Sequence, residues 1–115
     1  MRYMLLLHGR EAEFQRRTPD RREAAVAFLA RFEDELAVGS ELEWTEVLDD
    51  EEHAVLVGPG GTGEGWFNSE GSPLQRAWVV RVQDRERALE LAARLARGVD
   101  SPVEVRKCLP GAQRP

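Results

Sequence analysis

The chain opens on an apolar run, Tyr3-Met4-Leu5-Leu6-Leu7, which His8 and Gly9 bring to a close. An apolar run this short, bounded by a turn, reads as a strand buried on both faces. Arg10 to Arg17 is polar and aperiodic and reads as a loop. Thr18 then offers an N-cap, with Pro19 at the first helical position and Asp20 in the first turn. Ala25, Phe28, Leu29, Phe32 and Leu36 recur at helical spacing, and Gly39 stands where a C-terminal glycine belongs, so a helix is predicted over 19–38. Leu42 and Trp44 alternate with Glu41 and Glu43, which predicts a half-exposed strand over 41–48. Asp49 to Glu52 reads as a turn, and His53 to Val57 as a short strand paired with the one before it.

Residues 58–73 hold six glycines and two prolines in 16 positions and read as a loop. Trp66 and Phe67 lie inside it, and two adjacent aromatics are foreign to a solvated linker. Gln75 to Val82 is a strand with Trp78, Val80 and Val82 on one parity. Asp84 caps the next helix, whose stripe is Ala88, Leu91, Ala92 and Leu95 and whose expected end is Gly98. Val103 to Leu109 is the last strand, and the tail 110–115 is expected to be flexible. Residues 1–109 are then one domain.

Strand, helix, strand with a hairpin, strand, helix, strand is a pair of βαβ halves. Right-handed crossovers make it a ferredoxin-like α+β sandwich, βαββαβ with an extra hairpin. The first strand is then central, with antiparallel neighbours on both sides, and His8 lies near the starts of the third and fourth sheet strands. Helices cover one face of such a sheet, and Val80, Val82, Val103 and Val105 are assigned to it. The other face carries Met4, Leu6, His8, Ala77, Val79, Arg81, Glu104 and Arg106 by alternation. A small domain does not leave a half-apolar face open to water. A homodimer joined face to face through the two sheets is therefore expected, with polar groups enclosed in an apolar cavity.

Composition narrows the function classes. Apolar residues make up 42% and charged residues 32%, an ordinary globular balance, with a net charge of −5. No basic excess exists to neutralise a nucleic-acid backbone, so no nucleic acid is expected as a partner. Nothing approaches the ~20 apolar residues of a membrane span, so no membrane partner is expected either. The single Cys108 excludes an internal disulfide, and the apolar run is too short for a signal peptide. A cytoplasmic location follows as the expectation.

His8 is the first candidate for chemistry, because a histidine at the end of a central strand can move a proton near neutral pH. Glu64 from the glycine-rich loop, or Asp100 from the turn before the last strand, is a candidate partner that would fix its tautomer. The competing reading is a histidine that merely caps a strand end. Trp66 and Phe67 either wall an apolar ligand pocket or plug the loop, and both are expected to be buried. Met4 and Leu6 would line the same pocket. Arg81 and Arg106 could bind a carboxylate in bidentate fashion, or form ion pairs with Glu104 or an acid across the dimer. Gly58 to Gly63 lacks the Lys-Ser/Thr of a P-loop, no cofactor is expected, and His8, His53 and Cys108 are too scattered for a metal site.

Met1 to Leu7, the helix ending at Gly39, Glu64-Gly65-Trp66-Phe67, Ala77 to Val82, Asp84 to Glu90 and Val103 to Arg106 occur in an order that resembles the YCII-related proteins. The nearest branch is the one named for an Asp-Gly-Pro-Phe motif, and the likeness runs over residues 1–107. Glu64 and Trp66 stand where that motif has Asp and Pro, and Pro alone would fix φ near −65°. The resemblance implies a dimeric α+β barrel. It implies function thinly: one relative is a dechlorinating lyase on a muconate-type acid, and many in this branch are associated with sigma factors. The His–Asp pair of the YCII branch proper has no counterpart here, because Arg21, Arg22 and Glu23 fill the first turns of the first helix and Leu95-Ala96-Arg97-Gly98 ends the second.

Overall fold

The computed structural model describes residues 1–67 and 70–111. Its backbone runs β1 (Arg2–His8), α1 (Glu11–Gln15), α2 (Pro19–Val38), β2 (Leu42–Val47), a 3-10 turn (Glu51–His53), β3 (Val55–Gly58), β4 (Gly61–Glu64), β5 (Leu74–Arg81), α3 (Arg85–Val99) and β6 (Val103–Lys107). This is a mixed α+β fold. Four strands form one sheet in the order β2-β5-β1-β6, and every pairing in it is antiparallel. β1 is central, as its connectivity requires.

Local signals start the long helices. Thr18 accepts a hydrogen bond from the Arg21 amide with Pro19 at the first helical position, and Asp84 accepts one from the Arg87 amide. Each helix then lays one stripe on the sheet. Ala25, Phe32 and Leu36 from α2, and Ala88, Leu91, Ala92, Leu95 and Val99 from α3, are buried. Beneath them lie Tyr3, Leu5, Leu7, Trp78, Val80 and Val82, with Val103 and Val105 partly buried at the edge. A Cα–Cβ bond alternates across a strand, so this accounts for half of β1. Met4, Leu6 and His8 face the other way and stay half-buried, since the buried stripes of α2 and α3 lie on the opposite side; Val79 on the same face is itself buried.

Four expectations are corrected. Arg10 to Arg17 is not wholly loop, since Glu11–Gln15 forms α1, its first turn favoured by Glu11 and Glu13. The 53–57 segment does not pair with the strand before it. Val55–Gly58 turns at Pro59-Gly60 and pairs with Gly61–Glu64, a two-stranded sheet apart from the first. Glycines read as loop, yet their backbone groups pair as well as any others once a partner strand is supplied.

α2 spans Pro19–Val38 as its pattern predicts, but Gly39 has φ −79° and the left-handed residue is Ser40, φ 59°. The amide of Glu41 donates to Leu36 O at 2.8 Å and that of Ser40 to Ala37 O at 3.1 Å, which closes a Schellman motif one residue late. Gly98 does not end α3. Asp100 takes the left-handed position at φ 52°, and Ser101 N–H donates to Ala96 O. Gly98 stays helical because a Cβ there would fall inside the Phe28 ring of α2. Residues 112–115, most of the expected tail, lie outside the described residues.

Candidate functional site

The site is built at the end of β1. A register irregularity falls between Leu7 and His8, where His8 meets Leu74 and Leu7 meets Val103. The strand pairing sets Glu104 opposite Leu6, diagonally adjacent to His8 on the uncovered face. His8 Nε2 lies 2.9 Å from Glu104 Oε1, with the two side chains 34% and 44% exposed. An ionised carboxylate only accepts, so in the neutral ring this contact puts the hydrogen on Nε2 and leaves Nδ1 to accept from a substrate. Arg106 Nη1 stands 3.6 Å from Glu104 Oε2 and adds a counter-charge behind it.

The expected partners of His8 lie elsewhere. Glu64 is on β4, in register with Val55, and no hydrogen bond or ion pair joins it to His8 among the described residues. Asp100 closes α3 and pairs with Arg21 Nη2 at 2.6 Å, so the helix end and α2 hold it. Antiparallel alternation along β6 is the signal that points to Glu104.

The uncovered face is laid out in rows by the strand register. Trp44, Val79, Met4 and Arg106 form one row, and Glu46, Ala77, Leu6 and Glu104 the next. Trp44 is 54% exposed. Glu43 takes both Arg2 Nε at 2.7 Å and Arg81 Nη2 at 3.2 Å. The Arg2 hydrogen bond, ahead of the Arg81 one, holds its carboxyl below the usual carboxylate range. Arg81 and Arg106 are therefore engaged in ion pairs within the chain.

Two hollows meet at His8. The first, about 360 Å³, lies between the end of β1, the short helix α1 and the start of α2. The second, about 550 Å³, lies toward the 3-10 turn and includes Trp66, Phe67 and His53. Trp66 is half-buried with the Arg10 guanidinium over its ring at 5.6 Å, and its Nε1 is buried without an acceptor among the described residues. Phe67 is 86% exposed, against the expectation of burial. His53 Nδ1 lies 3.0 Å from Asp49 Oδ2, and this bond raises the histidine pKa while lowering that of the acid.

Among the described residues no group of three or more His, Cys, Asp or Glu side chains is arranged to hold a metal ion. No described helix is long and apolar enough to cross a membrane. No family model and no curated protein matches the chain. The residues that sequence reasoning missed are Glu104 as the partner of His8 and the α1 segment as a wall of the first hollow. For α1 the available signal was the run Glu11-Ala12-Glu13-Phe14-Gln15, good helix formers with acids in the first turn.

Proposed function

We propose that the protein is a small-molecule enzyme of the YCII-related kind in which His8 shuttles a proton on an anionic substrate. The observation that carries the reading is the 2.9 Å bond from His8 to Glu104 at the meeting point of two hollows. Glu104 holds the ring in one tautomer and Nδ1 takes a proton from a substrate carbon or oxygen and returns it. Neither Glu64 nor Asp100 is needed for this chemistry. The strand order and the two crossover helices support a ferredoxin-like classification.

The acting form is a homodimer. Met4, Leu6, Ala77 and Trp44 make the uncovered face too apolar for a lone domain in water, and a second copy of the sheet buries it as in a dimeric α+β barrel. Sedimentation as a monomer at micromolar concentration refutes the dimer. The catalytic reading is tested by solvent-deuterium exchange into a panel of small carboxylic acids, followed by NMR. His8→Ala abolishes exchange while the dimer and the circular dichroism stay unchanged. Exchange that survives in His8→Ala overturns it.

A second reading is a non-catalytic dimeric module in a regulatory setting, holding a ligand or protein through the same rim. The exposure of Phe67 and Val57, at 86% and 75%, favours it. Under that reading Phe67→Ala or Trp66→Ala weakens binding, whereas His8→Ala leaves it within about twofold.

A further inference from the structure

The hollow beneath α1 has a shape and a charge pattern that specify a ligand. Leu7, Ala25, Leu29 and Val99 form its apolar floor, and Phe14 closes it from α1. At about 360 Å³ it stands at the small end of the ~300–1,000 Å³ range of ligand pockets. Its cations are Arg10, Arg17 and Arg76. Arg10 is engaged, donating to Gly71 O at 3.1 Å and lying over the Trp66 ring. Arg17 is held by neutral oxygens, donating to Val99 O at 2.5 Å and Asp100 O at 2.9 Å, and no ion pair joins it to a carboxylate among the described residues. Arg76 is paired with Glu33. Of the lining acids, Glu11 is oriented by the side-chain amides of Gln15 and Gln75, which leave its charge in place at the α1 wall away from Arg17's carbonyl partners, and Glu13 is exposed on α1. The neighbouring hollow is different: Asp49, Asp50 and Glu51 line it and repel an anion.

We infer that the hollow under α1 binds a small amphipathic monocarboxylate, its apolar body on the floor and its carboxylate toward the arginines and His8. The role of His8 here rests on the enzymatic reading, but occupancy of the hollow does not and is measured by binding alone. The carboxylate end is then next to Nδ1, and the apolar body sets the substrate class.

The probes are octanoate, octanol and octylammonium, titrated into the full chain and followed by methyl and amide NMR shifts. Octanoate saturates and moves the methyls of Val26, Leu29 and Val99, while those of Met4 and Leu6 on the uncovered sheet face stay still. Octanol binds about tenfold more weakly and octylammonium more weakly again. Val26→Trp at the rim, where Val26 is 58% exposed, weakens octanoate about tenfold without shifting the thermal transition. Leu48→Trp on the opposite wall does the same and serves if the first variant fails to fold. Saturable octanoate binding by a wild-type chain that catalyses no exchange sinks the enzymatic reading alone, whereas absence of saturable octanoate binding sinks this inference whatever the exchange assay shows. Octylammonium binding as tightly as octanoate overturns the inference, and so do shifts centred on Met4 and Leu6.

Discussion

Glu33 holds two strand residues on the covered side of the sheet, and removing it tests that packing directly. It pairs with Arg76 and also accepts from Trp78 Nε1 at 2.9 Å. Trp78 is wholly buried, and the Arg76 guanidinium lies over its ring at 5.1 Å. In Glu33→Ala the indole N–H has no acceptor, which costs about 1–3 kcal/mol. The Arg76 side chain, 20% exposed, loses its counter-ion. A fully buried pair broken in this way costs about 3–5 kcal/mol, and partial access to water reduces that to roughly 1–2. Alanine returns a few tenths as the better helix former. The net loss is about 2–5 kcal/mol out of a total of about 5–15. Urea unfolding followed by tryptophan fluorescence and circular dichroism reads it as a lower midpoint at unchanged slope. Glu33→Gln keeps an oxygen acceptor and removes only the charge, so it costs about half as much. A Glu33→Ala loss below about 1 kcal/mol refutes the reasoning. Equal losses in the two variants would mean that the indole bond contributes nothing.

Two further predictions concern packing and pH. Gly98→Ala pushes a methyl into the Phe28 ring, costing about 1–3 kcal/mol against the roughly 1 kcal/mol that alanine returns in helix propensity. In a Phe28→Leu background the same change is neutral or stabilising, which a double-mutant cycle measures; stabilisation in the wild-type background contradicts it. His53 has a pKa raised above the ordinary value of about 6.5 by its bond to Asp49, so its contribution to stability is complete below that value and is lost as pH rises through the raised one. Asp49 is shifted down, so its share is present above the ordinary carboxylate range and is lost as pH falls through the lowered value. An NMR titration of His53 follows this directly: Asp49→Asn returns the midpoint toward 6.5, and a wild-type midpoint at or below 6.5 refutes the pairing.

Much of this protein is determined by short-range pattern. Thr18-Pro19 and Asp84 start their helices because a cap needs only its own next three residues. The stripes from Ala25 to Leu36 and from Ala88 to Leu95 are periodic, so the covered face of each helix is legible without its partner. The central place of β1 follows from the order of the elements and the handedness of the crossovers. Tertiary structure decided what depends on a distant neighbour. Gly98 looks like a helix terminator until Phe28 of α2 is set against it. Gly61 to Glu64 looks like loop until Val55 to Gly58 supplies a strand to pair with. The sequence offered Glu64 and Asp100 as partners of His8, and only the register of β6 on β1 brings Glu104 to 2.9 Å instead, while the end of α3 gives Asp100 to Arg21. Side-chain period and capping are local, and so they are written in the sequence. Register, close approach and the choice among rival partners depend on the assembled chain.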